Sequence, residues 1–132
     1  MASDAVKKVF IVDDDNMFAA MLAGHLGHNK MLRVFHFSTG EACLSEMSQR
    51  PDFIILDFNL NSETAEAADG LAILEKIKRI DERVHVIMLS SQTHYGVAAR
   101  TIQKGAEQYV IKDETAFHQI SEIIDDIMKR SR

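Results

Sequence analysis

The sequence is poor in several residue types at once. Of 132 residues, one is Cys, one is Pro and none is Trp, and aromatics make up 7%. A lone Cys43 leaves no disulfide framework to build and fits a reducing compartment. No Pro/Gly/Ser-rich linker divides the chain, and no internal repeat or low-complexity tract is present. Apolar runs such as Val9–Val12, Phe53–Leu56 and Val86–Leu89 have four residues. A membrane span needs about 20, so no transmembrane helix is expected. Met1–Lys8 lacks the apolar centre of a signal peptide, which points to a cytoplasmic protein. Excess positive charge is also lacking: 15 Lys and Arg face 20 Asp and Glu, and the formal net charge of −5 argues against sequence-independent nucleic-acid binding.

What is present is ample for one folded unit. The chain is 46% hydrophobic and 27% charged. A chain of this length buries roughly two-thirds of its unfolded surface and folds without a disulfide or metal. Short apolar runs alternate with longer amphipathic stretches. Val9–Val12 reads as a strand covered on both faces, ending at Asp13. Met17, Phe18, Met21, Leu22 and Leu26 follow at helical spacing, with Gly27 suited to the helix end. Leu32–Phe37 is β-rich, and Ser38 with Glu41 resembles a capping box opening a helix through about Ser48. Phe53–Leu56 is a second buried run, ending at Asp57. Leu71, Leu74, Ile77 and Ile80 then share a helical face behind Asp69, a suitable cap. Val84–Leu89 is strand-like and stops at Ser90-Ser91. Tyr95–Lys104 is a weaker helix ending at Gly105, and Tyr109–Ile111 is a short strand ending at Lys112. Phe117, Ile120, Ile124 and Ile127 mark a last helix.

The order is βα repeated five times, which implies an α/β fold with a doubly wound parallel sheet covered on both sides. In such sheets the site lies outside the carboxyl ends of the strands. Those ends carry Asp13-Asp14-Asp15, Phe37-Ser38, Asp57, Ser90-Ser91 and Lys112. Singly, each has a plainer reading: a helix cap, a solvated loop residue, a turn hydroxyl, a surface charge. Together they are complementary. Gathered carboxylates repel by about 4 kcal/mol per pair at ~4 Å and an effective dielectric of 20, so they take up protons, bind a cation or are held apart. A hard divalent ion such as Mg2+ suits oxygen ligands, and a lysine and hydroxyl beside it suit a phosphoryl group.

Asp13-Asp14 after the first strand, Asp57 after the third, Ser90 after the fourth and Lys112 after the fifth resemble the receiver domain of two-component response regulators. The resemblance runs from about residue 8 to 128. It implies a flavodoxin-like, five-stranded parallel sheet of order 2-1-3-4-5 with five helices, forming a single receiver domain with no output domain in this chain. It implies Asp57 as phosphoacceptor from a sensor histidine kinase or histidine phosphotransfer protein. Asp14 would ligate Mg2+ directly, Asp13 mostly through water, and Asn59 through its backbone carbonyl. Lys112 would pair with the phosphoryl group, Ser90 would bind one of its oxygens, and Tyr109 would stand as the switch aromatic. Gln92 and Asn59 would tune dephosphorylation. The output would be a protein target, or a homodimer, met through the face formed by helix 4, strand 5 and helix 5, with no direct nucleic-acid or membrane contact.

Two departures from that pattern stand out. Between Asp57 and Asp69-Gly70 the segment is about five residues longer than usual and lacks Pro, so residues 60–68 form an insert beside the site. Lys112 is followed by Asp113 where the family has Pro, which argues against a cis peptide there; Asp113 or Thr115 reads as a helix cap instead. His25 and His28 lack further ligands for a zinc site, and Cys43 and most of the seven Met residues read as core. Three other functions compete. A phosphatase or phosphotransferase working through an aspartyl-phosphate would want room for a substrate cap. An FMN carrier would want Gly, Ser or Thr where Asp13–Asp15 stand. A degenerate receiver would act only as a docking surface.

Overall fold

The computed structural model describes residues 5–59, 70–91 and 95–130. Five strands, β1 (Lys7–Val12), β2 (Leu32–Phe37), β3 (Phe53–Asp57), β4 (His85–Ser90) and β5 (Gln108–Ile111), alternate with five helices. The helices are α1 (Asn16–Leu26), α2 (Gly40–Ser45), α3 (Gly70–Ile80), α4 (Tyr95–Gln103) and α5 (Ala116–Arg130). All strand pairs are parallel and the order is β2-β1-β3-β4-β5. This is the doubly wound α/β sheet expected from the apolar runs.

The two-residue period of the strands divides the core into two layers. Val9, Ile11, Phe53, Ile55, Ile87 and Leu89 pack on one side beneath α1 and α5. Phe10, Val12, Ile54, Leu56, Val86 and Met88 pack on the other beneath α2 and α3. Phe10 meets Phe35 and Phe37 edge-on at 5.7 and 4.8 Å between centroids, pairs that each add about 0.5–1.5 kcal/mol beyond area burial. No helix among the described residues is long and apolar enough to cross a membrane.

Several local expectations need correction. The cap of α2 is Thr39, whose hydroxyl accepts from Ala42 N at 3.1 Å, rather than Ser38. The helix stops at Ser45, and a 3-10 turn (Met47–Gln49) follows, closed by Arg50 at φ 55. A left-handed residue just past a helix end frees the chain to turn toward β3. In α1 the buried face is Ala19, Leu22 and Leu26. Met17 and Met21, expected in the apolar stripe, are 74% and 58% exposed. The helix carries no Asp, Glu, Lys or Arg, so polarity does not mark which side turns outward. Ile80, the last residue of α3, is likewise exposed, because it lies beyond the buried stretch ending at Ile77. Asp69 lies outside the described residues.

Candidate functional site

Parallel register brings the site together. Val12 stands opposite Leu56, so Asp13, just past β1, and Asp57, the last residue of β3, emerge at one level of the sheet. Both continue the row of side chains facing the α1 and α5 layer, Asp13 after Ile11 and Asp57 after Ile55. Beside them Asp57 pairs with Leu89, Ser90 with Ile111, and Lys112 N donates to Ser90 O at 2.8 Å. Ser90 is fully buried.

The charged groups then meet through side-chain reach. Lys112 extends from the end of β5 across β4, placing Nζ 2.8 Å from Asp13 Oδ2 and 3.6 Å from Asp57 Oδ2. The shorter contact is an ion pair, and beyond that ammonium the buried Asp13 Oδ2 has no hydrogen-bond partner among the described residues. The rest of Asp13 is pinned. Its Oδ1 accepts from Asp15 N at 2.9 Å, and its carbonyl accepts from the His36 ring at 2.8 Å. Asp15 in turn caps α1, accepting from Phe18 N at 3.0 Å. Asn59 N donates to Asp57 Oδ1 at 3.2 Å. The Lys112 ammonium also lies over the ring of Phe18, 4.7 Å from the centroid.

Asp13, Asp14 and Asp57 each offer an oxygen, and these lie within 4.8 Å of one another. At that range and an effective dielectric of 20 each ionised pair repels by roughly 3–4 kcal/mol. Burial first, then the Asp13 charge, pushes the Asp57 pKa up to about 6, against the pull of Lys112 and the Asn59 N–H. For Lys112, burial is the largest single influence and lowers its pKa. The contact with Asp13 and the charges of Asp57, Asp13 and Asp15 outweigh it, so the net direction is upward. Three carboxylates and one ammonium leave an excess of negative charge on hard oxygen donors, one of them buried and met only by the Lys112 ammonium. Such a set fits a hard divalent cation.

The structure thus brings Asp13, Asp14, Asp57 and Lys112 into one cluster, with Ser90 and Asn59 on adjoining backbone. Tyr109 is half-buried against the α2 and α3 layer, on the strand that leads into Lys112. Gln92 and the insert at 60–68 lie outside the described residues. The Lys112–Asp113 peptide is trans. Asp113 Oδ1 accepts from Thr115 N and Oγ1 at 2.9 and 2.7 Å, a turn that leads into α5. His36 was not singled out by sequence, and Phe18 was read only as part of the apolar face of the first helix. The only signal was position: His36 is the last residue but one of β2, and Phe18 is in the first turn of the helix that Asp15 caps.

The response regulator receiver domain profile matches residues 9–125. The chain is 28% identical over 105 residues to the transcriptional regulatory protein PrrA of Mycobacterium tuberculosis, covering 80% of this chain and 43% of PrrA. It thus spans less than half the length of that relative. It is 26% identical over 106 residues to the chemotaxis protein CheY of Bacillus subtilis, covering 80% of this chain and 84% of CheY. Among solved structures, a CheY-like receiver domain protein from Methanospirillum hungatei superposes with a TM-score of 0.83 at 19% identity, covering 96% of each chain. A two-component response regulator from Clostridium difficile gives 0.84 at 18% identity, covering 96% of this chain and 98% of that one. The sheet order, the cluster of acids at its carboxyl end and the span of the profile agree: this chain belongs to the response regulator receiver domain family.

Proposed function

We propose that the protein is a phosphorylation-controlled switch that takes a phosphoryl group onto Asp57 from a phosphohistidine of a sensor kinase or phosphotransfer protein. The observation that carries this reading is the buried Asp57 carboxylate held between Lys112 and two further acids. With its pKa raised to about 6, Asp57 is ionised near neutral pH yet more basic than an ordinary carboxylate. An Asp57 oxygen attacks phosphorus, the P–N bond breaks, and the imidazole leaves with the bonding pair. The product is an acyl phosphate on Asp57. Asp13 and Asp14, with Asp57 and the Asn59 carbonyl, would hold Mg2+. When bound, the ion supplies neutralising charge for the phosphoryl oxygens.

This chain's own residues do the rest. Lys112 pairs with a phosphoryl oxygen, and the Ser90 hydroxyl donates to another. Drawing Ser90 toward the phosphoryl group opens space beside β4, and Tyr109, half-buried two residues from the strand end, turns into it. The face formed by α4, β5 and α5 then presents a different surface to a protein target or a second copy. Asn59, next to the acceptor, and Gln92 set the lifetime of the acyl phosphate, and the 60–68 insert tunes partner choice or that lifetime.

The test is intact mass after incubation with acetyl phosphate and MgCl2. One added phosphoryl group is expected, reduced by EDTA and absent in Asp57→Asn. A mass gain that persists in Asp57→Asn, or none in the wild type, overturns the reading. Steady hydrolysis of external phosphate esters would assign the site to an enzyme instead.

A further inference from the structure

Lys112 faces a positioning problem. Its stem has several rotatable bonds, and an ammonium on such a stem keeps much rotamer freedom unless something packs against it. Charge alone does not centre it, because Asp13 holds Nζ at 2.8 Å and Asp57 stands further off at 3.6 Å. The ammonium also lies over the Phe18 ring, 4.7 Å from its centroid, well inside the range at which a ring face attracts a cation. Phe18 is itself held at two points, one on its backbone and one on its ring. The Phe18 main-chain N–H is bonded to the cap Asp15, and the ring meets Phe117 of α5 edge-on, 5.3 Å between centroids at 64°.

We propose that Phe18 is a positioning residue for Lys112, its ring face holding the ammonium between Asp13 and Asp57 where a phosphoryl oxygen on Asp57 will meet it. This rests on Asp57 as the phosphoacceptor. Phe18 touches neither donor nor acceptor; it acts through the lysine alone. Its half-buried edge also belongs to the α1 and α5 core, so a plain packing role is the competing account.

Phe18→Leu and Phe18→Tyr separate the two accounts. Leucine fills nearly the same space without a π face, whereas tyrosine keeps the face. The maximal rate of phosphoryl uptake from acetyl phosphate with saturating MgCl2 should fall about three- to tenfold in Phe18→Leu. The acetyl phosphate concentration for half-maximal rate should stay within about twofold, and Phe18→Tyr should stay near the wild-type rate. The direct readout is NMR of the Lys112 Hε protons, assigned with Lys112→Gln. Ring current should shift them upfield in the wild type and Phe18→Tyr and return them to the ordinary lysine position in Phe18→Leu. A Phe18→Leu protein as fast as the wild type overturns the proposal. So does an unshifted Lys112 Hε in the wild type, which needs no variant to fold. If the wild type takes up no phosphoryl group, the acceptor assignment is what has failed, and the NMR shift still reports whether the ring holds the lysine.

Discussion

Replacing Asp57 by Asn removes one negative charge from a side chain that is 5% exposed, and keeps its shape and the oxygen that accepts from Asn59 N. The wild-type carboxyl is pushed up from 3.8 to about 6, by burial first and the Asp13 charge second. At about 1.36 kcal/mol per unit, that displacement of about two units sets an upper limit near 3 kcal/mol on what ionising Asp57 costs the fold. That displacement already includes the pull of Lys112, and residual hydration at the end of the sheet brings the expected figure to about 1–2 kcal/mol. The sign follows from proton uptake. Between about pH 4 and 6 the folded chain holds a proton that the unfolded chain has released, so wild-type stability falls as pH rises through that window. The substituted amide has no proton to lose. Asp57→Asn should therefore match the wild type near pH 4 and be more stable by about 1–2 kcal/mol at about pH 7.5 in EDTA, roughly 4–8 °C in Tm. MgCl2 should narrow or reverse the gap, since a ligand at about a hundredfold above its Kd adds ~2.7 kcal/mol to the state that binds it and the variant has one carboxylate fewer. Urea unfolding followed by circular dichroism across this pH range, with EDTA or MgCl2, measures all of this. An Asp57→Asn protein no more stable than the wild type near neutral pH in EDTA, or a gap that does not change with pH, refutes the reasoning.

Three further outcomes follow from packing. A Cβ on Gly70 would lie 2.5 Å from the Asp57 carbonyl and 2.6 Å from Phe58 Cα, both backbone atoms; Gly70→Ala should cost more than about 2 kcal/mol in urea unfolding and slow phosphoryl uptake. Gly24, in contrast, has open space around it within α1, so Gly24→Ala should stabilise by about 0.5–1 kcal/mol; a lower melting temperature would contradict this. Cys43 is fully buried and burial pushes its thiol up to about 12, so iodoacetamide should leave the native protein unmodified by intact mass and alkylate it in urea.

The strands and the long helices were legible for a physical reason. A parallel strand is covered on both faces, so its sequence becomes an unbroken apolar run such as Ile54–Leu56, and the polar residue that ends the run is the one delivered to the rim. The α3 and α5 stripes were equally plain, because each helix has a charged outer face to contrast with its buried one. The expected side of α1 was partly mistaken because that contrast is missing there, and Met17 fitted either face. The short α2 was overextended because its end depends on a turn through Arg50 toward β3, a matter of where the next strand lies.

What the linear order of residues determined by itself is therefore the class of fold and the identity of the groups at the strand ends: Asp13, Asp14, Asp57, Ser90 and Lys112. Periodicity and local chemistry along the chain carry that much. Only the folded arrangement decided which of these groups touch, that Lys112 leans more closely on Asp13 than on Asp57, that His36 grips the Asp13 carbonyl and that Phe18 lies under the ammonium. Those contacts join residues from separate strands and helices, and their distances are set by sheet register and side-chain reach, neither of which has a signature in a single stretch of sequence.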